Sequence, residues 1–305
     1  MYGAKAPESQ LPGYVGSRLD RVDEIRSNPA LLAKTFADPA ALCVLLDGLD
    51  PVVVDGALAM EPLPPGAAME DYVLLGVDPA HIPVFARLID RAAGSFTPTA
   101  RSRAVVNEVS PDQAALYAGA RSLVDWHARH RFCAACGSPT TPHKGGWARQ
   151  CEGCDTEHFP RVDPVVIMLA EHRGRVLVGR QHRWAPRHYS ALAGFLEPGE
   201  TIEEAVAREL KEEAGIAVHS IRYVMSQPWP FPSSLMIACI AQADDDALTL
   251  DQTEIEDAIW CDADQVRAAL EGRPDAPFLA PPPLAVAWHL LDHWLAHVAP
   301  ARASA

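Results

Sequence analysis

The chain has 305 residues, which at about 150 residues per domain suggests two domains, each long enough to bury a core. Apolar residues make up 49% and charged residues 22%, an ordinary globular composition that excludes wholesale disorder. The net charge of −14 argues against a general duplex-DNA binder, which gains affinity by neutralising phosphates with Lys and Arg.

The longest apolar runs, such as 165–170, are far too short to cross a bilayer, and the first residues do not resemble a secretory signal. A cytoplasmic protein with no membrane partner is expected. The charge is uneven: residues 121–188 hold 11 Lys/Arg against 6 Asp/Glu, and seven of the twelve histidines. A basic middle in an acidic chain suits an anionic ligand, and it equally suits a plain solvated surface.

Proline is abundant, 27 residues in all, and many punctuate the first hundred positions. Between them, apolar runs at 41–46, 52–54, 72–77 and 84–88 read as strands separated by turns, hence a β-rich N-terminal domain. Ser110-Pro111 then supplies an N-cap and an N1 proline for a helix with Leu116, Ala120, Leu123, Val124 and His127 on one side. Next comes Cys133-x2-Cys136-x14-Cys151-x2-Cys154. Two such knuckles bring four thiolates to one ion at about 2.3 Å, as tetrahedral zinc requires. Four thiolates leave no open position for water, so the zinc would be structural. A redox CxxC is the rival for either pair alone. Cys43, Cys239 and Cys261 sit in apolar contexts and read as small core residues.

Beyond the cysteines, 165–170 and 175–180 read as strands joined by a turn at His172-Arg173-Gly174. A strand into Gly194, a helix over 201–214, strands near 221–225, 235–242 and 258–261, and two C-terminal helices follow. The last helix carries Leu284, Ala287, Trp288, Leu291, Leu295 and Val298 on one stripe.

The segment Gly194 to Ile216 is the richest in the chain. Thr201 with Glu204 forms a capping box, and Gly215 is placed to end the helix in a left-handed turn. At about 100° per residue from Ile202, Val206, Leu210 and Ala214 define a buried stripe. Glu209 and Glu213 fall on its margin with Glu212 beside them, whereas Glu204, Arg208 and Lys211 face solvent or the preceding loop. A solvated charged face explains only the second group. Carboxylates at the margin of a buried stripe repel and lose hydration unless a cation compensates, and hard divalent ions prefer such oxygen clusters.

The pattern Gly194-x5-Glu200-x7-Arg208-Glu209-Leu210-x-Glu212-Glu213-x-Gly215-Ile216 resembles a complete Nudix box. The resemblance implies an α/β/α mixed-sheet fold that hydrolyses nucleoside diphosphate linkages. It also implies Mg²⁺ or Mn²⁺ held by Glu209, Glu212 and Glu213, with Glu200 and Arg208 as a supporting ion pair.

Ser226-Gln227-Pro228-Trp229-Pro230-Phe231-Pro232-Ser233-Ser234 follows. Its alternating prolines stiffen the backbone, so Gln227, Trp229 and Phe231 would suit a planar aromatic ligand; the same prolines would suit a loop that only buttresses the core. This array resembles the signature of the NADH pyrophosphatase (NudC-type) branch of the Nudix superfamily, as does a four-cysteine ribbon followed by His158-Phe159-Pro160-Arg161. The resemblance covers roughly 131–298. It implies that the Ala193 carbonyl and Glu254 join the metal site and that Phe159 and Phe195 line a nicotinamide pocket. It implies further that Phe159 comes across a homodimer interface, and that Gln227, Pro228, Trp229, Pro230, Phe231, Pro232, Ser233, Ser234 and Ala287 contact substrate. Two positions depart from it: Phe159 stands where some relatives carry tyrosine, and Gly146 where an acidic substrate contact occurs. Arg101 and Arg103 are candidates for N-terminal arginine contacts.

The expected fold is thus α+β, with an N-terminal domain over 1–128, a zinc ribbon over 129–160 and a Nudix domain over 161–300. The expected activity is metal-dependent cleavage of NADH or NAD to the mononucleotide and AMP, with removal of NAD caps from RNA 5′ ends. Glu209, Glu212, Glu213 and Glu254 would be catalytic. An ADP-ribose or broad dinucleotide hydrolase is the alternative within the fold; a non-catalytic zinc-ribbon nucleic-acid-binding protein is the alternative outside it.

Overall fold

The computed structural model describes residues 11–89 and 98–298. By packing, these form two compact units: 14–162 with the short segment 228–233, and 163–227 with 234–298 and residues 11–13.

In the first unit, a four-stranded sheet runs in the order Met60–Pro62, Leu42–Val44, Pro83–Arg87, Tyr72–Val77. Leu42–Val44 pairs antiparallel to the first of these and parallel to Pro83–Arg87. Three of these strands lie within a residue or two of apolar runs read from sequence; Met60–Pro62 was not read, and the run 52–54 instead forms the short strand Val53–Val54, paired with Ala57–Leu58. The helices Asp23–Ser27 and Pro29–Phe36 were not anticipated, although Asn28-Pro29 repeats the cap-plus-proline signal seen at 110–111: the Asn28 side chain accepts from the amides of Ala30 and Leu31. The helix Pro111–Arg129 lays Leu116, Tyr117, Ala120, Leu123 and Val124 on a core with Val44, Val73, Leu75 and Val84. Ser110 occupies its N-cap position but caps no amide; its hydroxyl donates instead to Asp112 at 2.7 Å. The ribbon is a three-stranded sheet in the order Glu157–His158, Ala148–Cys151, Thr140–His143.

The second unit is built on a six-stranded mixed sheet. Its order is Val218–Trp229, Ser234–Ala243, Asp163–His172, Arg175–Arg180, Asp257–Asp262, with Leu192–Phe195 pairing antiparallel to Asp163–His172. Asp163–His172 runs parallel to Ser234–Ala243 and is buried on both faces, which is why it reads as an unbroken apolar run. Alternate residues serve opposite cores. Val166, Met168 and Ala170 meet the helix Ile202–Ala214 through Val206, Leu210 and Ala214. Ile167 and Leu169 meet the helices Ala263–Leu270 and Val286–Val298. The result is the expected α/β/α layering around a mixed sheet.

One stripe differs from expectation. On Val286–Val298 the fully buried ring is Trp294, together with Leu290 and Leu291, while Trp288 is half-buried. Both tryptophans fit a helical spacing with Ala287 and Leu291, so periodicity could not choose between them. Cys43, Cys239 and Cys261 are buried, and burial pushes the thiols of Cys239 and Cys261 up to about 11 and about 12. No helix among the described residues is long and apolar enough to cross a membrane.

Candidate metal centres and active site

The four ribbon cysteines converge. Their sulfurs all lie within 4.8 Å of one another, and no other group of three or more His, Cys, Asp or Glu does so among the described residues. Cys136–Cys151, Cys151–Cys154 and Cys133–Cys154 sulfurs are 3.4, 3.5 and 3.7 Å apart. A regular tetrahedron of 2.3 Å zinc–sulfur bonds has edges of about 3.8 Å, so the quartet fits zinc with little rearrangement. The amides of Ala135 and Gly153 donate to the sulfurs of Cys133 and Cys151, and His158 Nε2 lies 3.2 Å from Cys133 Sγ. These contacts orient thiolates that a dication would hold.

The ribbon is fixed to its unit by a buried polar network. His127 Nε2 contacts the Gly146 carbonyl at 2.7 Å, and Arg149 Nη1 reaches His127 Nδ1 at 2.8 Å. A carbonyl accepts and a guanidinium donates, so this imidazole is neutral with its proton on Nε2. Burial, reinforced by Arg149, lowers its pKa to about 4. Arg149 also donates from Nε to Thr140 Oγ1 at 2.7 Å and from Nη2 to the Thr140 carbonyl. Gly146 has φ 86°, and a Cβ there would fall 2.7 Å from Val73 side-chain carbons. No acidic side chain can therefore stand at this departure from the family pattern.

The second centre stands on the helix Ile202–Ala214. Thr201 and Glu204 form the capping box, and Gly215, at φ 76°, closes the C-terminus. Arg208 organises the preceding loop. Its Nε and Nη2 grip Glu200 Oε1 and Oε2 at 2.6 and 2.9 Å, and Nη2 also donates to the Phe195 carbonyl at 2.8 Å. Its Nη1 donates to Glu209 Oε1 and Glu212 Oε2, both at 2.9 Å. The bidentate pair, with a bond from the Glu197 amide, lowers Glu200 to a pKa of about 2.

Glu209 and Glu213 are buried while Glu212 is exposed, as the helical wheel places them. Burial raises the pKa of Glu209, and Glu212 and Glu254 add to the rise. Burial pushes Glu213 up to about 8, with the negative charges of Glu209, Glu254, Asp251 and Glu212 reinforcing it. Glu213 Oε2 is buried without a hydrogen-bond partner. A Cβ added at Gly194 would sit inside the Glu209 carboxylate, so glycine here lets that carboxylate lie against the backbone, and any side chain would push it aside. Ala193 pairs with Ile167 in the strand that ends at this loop. Exposed Glu254 stands near enough for its charge to add to the rise at Glu209 and Glu213, on the turn 251–254 whose Asp251 amide donates to the Glu213 carbonyl at 3.0 Å, although no three of these carboxylates lie within 4.8 Å of one another. Asp251 was missed from sequence; its signal is the side-chain turn in which it accepts from the Thr253 amide and hydroxyl.

The remaining candidates are placed as follows. Phe159 and Phe195 are each 60% exposed, and Lys144 lies 5.5 Å from the Phe159 ring centre. Gln227 is buried; its amide donates to the carbonyls of Gly13 and Leu284 and accepts from the Val286 amide. Pro228 and Pro232 are exposed, Pro230 and Ser234 buried, and Trp229, Phe231 and Ser233 intermediate. The Ser233 hydroxyl donates to the Arg161 carbonyl at 2.9 Å. The Ala287 side chain lies in the core. Arg101 and Arg103 are exposed on the short helix Ala100–Ala104.

Comparisons with known proteins agree with this arrangement. Residues 160–280 match the family described as NUDIX domain, and residues 128–159 match the NADH pyrophosphatase zinc ribbon domain. The chain is 43% identical over 198 residues to the human NAD-capped RNA hydrolase NUDT12, covering 62% of this chain and 43% of that one. It is 41% identical over 189 residues to NAD-capped RNA hydrolase NudC of Mycobacterium bovis, covering 59% and 60%. It is 38% identical over 228 residues to the chloroplastic Nudix hydrolase 19 of Arabidopsis thaliana, covering 60% and 52%. The chain thus spans about half the length of the curated relatives it matches.

Proposed function

We propose that this chain, which carries a Nudix domain behind an NADH-pyrophosphatase-type zinc ribbon, is a divalent-metal-dependent pyrophosphohydrolase. It cleaves NADH or NAD to the nicotinamide mononucleotide and AMP, and acts on NAD at the 5′ end of RNA. The observation that carries this reading is the buried, unpartnered Oε2 of Glu213 in a cluster of four glutamates. An orphaned carboxylate oxygen beside buried Glu209 fits a hard cation with oxygen ligands, since the one charge of Arg208 is shared among Glu200, Glu209 and Glu212.

In this reading Glu209, Glu212, Glu213 and Glu254, with the Ala193 carbonyl, hold Mg²⁺ or Mn²⁺, and the cysteine quartet holds structural Zn²⁺. Bound divalent ions supply charge neutralisation at the two phosphates and a lowered pKa for the attacking water. The exposed carboxylates of Glu212 and Glu254 are the groups able to take that water's proton. Phe195, whose carbonyl Arg208 fixes, offers a ring face for the nicotinamide, and Phe159 offers another, contributed across a homodimer. The chain's modules are 1–128, 129–160 and 161–300, working in the cytoplasm.

The names of the human and mycobacterial relatives support the RNA substrate. The test is product analysis with NADH, NAD, ADP-ribose and NAD-capped RNA, each with Mg²⁺ and with Mn²⁺. Release of AMP from NADH and of NMN from capped RNA is expected. Preferential cleavage of ADP-ribose would assign the broader dinucleotide activity, and no metal-dependent product would leave a binding protein. In Phe195→Ala, NADH cleavage should fall more than ADP-ribose cleavage; equal losses would reject the stacking role.

A further inference from the structure

Segment 228–233 packs in the same compact unit as the helix Pro111–Arg129. Its alternating prolines set Trp229 and Phe231 toward the same neighbours, and that side is occupied. The Tyr14 ring meets Trp229 edge-on at 6.0 Å and 82° and Phe231 at 5.8 Å and 80°. The two loop rings meet each other at 5.2 Å and 81°. Such T-shaped contacts are favourable because a ring's positive edge meets another's negative face.

Arg121, on the helix, is 1% exposed. Its Nη1 donates to the Pro230 carbonyl at 2.5 Å, and its guanidinium carbon lies 4.8 Å from the centre of the Phe231 ring. Tyr14 is buried as well, and its hydroxyl donates to the Ser102 carbonyl at 3.2 Å. Burying a guanidinium is costly unless its donors are engaged; Asp125, one turn along the helix, and Tyr117 offset part of that cost. The Pro230 carbonyl, in a stretch where three prolines remove backbone donors, has in Arg121 a charged donor.

We propose that Arg121 and Tyr14 are positioning residues that fix segment 228–233, the end of the strand Val218–Trp229 and the turn after it. Trp229 and Phe231 are then the anchor of that turn, and its ligand-facing side is the exposed Pro228 and Pro232 with Ser233. The inference rests on the reading that this turn contacts the dinucleotide, and it assigns that contact to different side chains from those the aromatic pattern suggests.

The test uses the full chain and the variants Arg121→Gln, Arg121→Lys and Tyr14→Leu. Steady-state kinetics with NADH and Mn²⁺ are read alongside amide exchange of a peptide spanning 226–235. Arg121→Gln is expected to speed exchange in that peptide about tenfold, leave the helix 202–214 unchanged, and raise KM about tenfold with kcat within about twofold. Arg121→Lys keeps a cation over the ring and should recover part of both effects. Tyr14→Leu should act in the same direction and carries the test if Arg121→Gln does not fold. Unchanged exchange, whether or not KM rises, would overturn the proposal, as would a fall in kcat at constant KM. A wild type inactive on NADH would reject the proposed function, while the exchange difference would still report the anchor.

Discussion

The two metal centres differ in how their ligands wait for a cation. In the ribbon, four sulfurs stand within 4.8 Å of one another, already near the geometry of a closed tetrahedron. On the Nudix helix, the carboxylates are held by their own protein: Arg208 draws Glu209 and Glu212 to one side, while Glu213 is buried with an unpartnered oxygen. Thiolates oriented by local amides make a site whose metal is part of the fold. Repelling carboxylates at the edge of a core stay costly until a cation neutralises them, and under the proposed function that cation is Mg²⁺ or Mn²⁺. One centre stabilises and the other is stabilised by its ligand.

Losing a thiolate has the largest expected effect. Structural zinc contributes on the order of 10 kcal/mol, so Cys133→Ser should lose zinc and unfold without a cooperative transition, read by metal analysis and a thermal scan. Retention of one zinc and a normal melting curve would show that Cys133 is not needed to hold the metal. The carboxylate centre should respond in the opposite way. Glu213→Gln should lower turnover by about 10²–10³ yet melt higher than wild type in chelator at pH 8. Glu213's folded pKa of about 8 exceeds its unfolded value, so the stability present below the unfolded pKa is lost as pH rises toward 8, and glutamine removes that loss. Near-normal turnover at saturating Mg²⁺ would sink the metal assignment.

Gly194→Ala sharpens the same contrast. A methyl group must displace the Glu209 carboxylate, so kcat should fall about tenfold or more while zinc content stays at one per chain; unaltered kcat would show that Glu209 is free to move. The last effect, confined to acid pH, is at His127. Its pKa is lowered to about 4 in the fold, so its contribution is present above the unfolded pKa near 6.5 and is lost as pH falls toward 4. Over that window it amounts to about 3 kcal/mol. Acid unfolding of His127→Gln should show a shallower pH slope than wild type there; equal slopes would mean that this imidazole is already charged in the fold.

What sequence could and could not show follows from the range of the interactions. The placement of Glu209 and Glu213 at the buried margin follows from 3.6-residue periodicity alone, and the cysteine quartet from its spacing, because both are local. The helix Pro29–Phe36 was local too: its Asn28-Pro29 start matched a signal used only at 110–111. Trp294 rather than Trp288 as the core ring could not be read, since both share a face with Ala287 and Leu291. Nor could the direction of Trp229 and Phe231. Alternation says that they lie on one side of a stiff segment; which side depends on Tyr14 and on Arg121, the latter 109 positions away. The part in Asp251 was hidden for a similar reason, as it nears Glu213 only when the turn 251–254 packs against the helix.

The most direct test of two unlike metal centres is AMP release from NADH after dialysis against EDTA, with zinc content measured on the same sample. The expected result is one zinc retained per chain, no turnover, and full recovery on adding Mn²⁺ or Mg²⁺. Turnover that persists in EDTA, or activity that follows zinc content and ignores added Mn²⁺ and Mg²⁺, would contradict it.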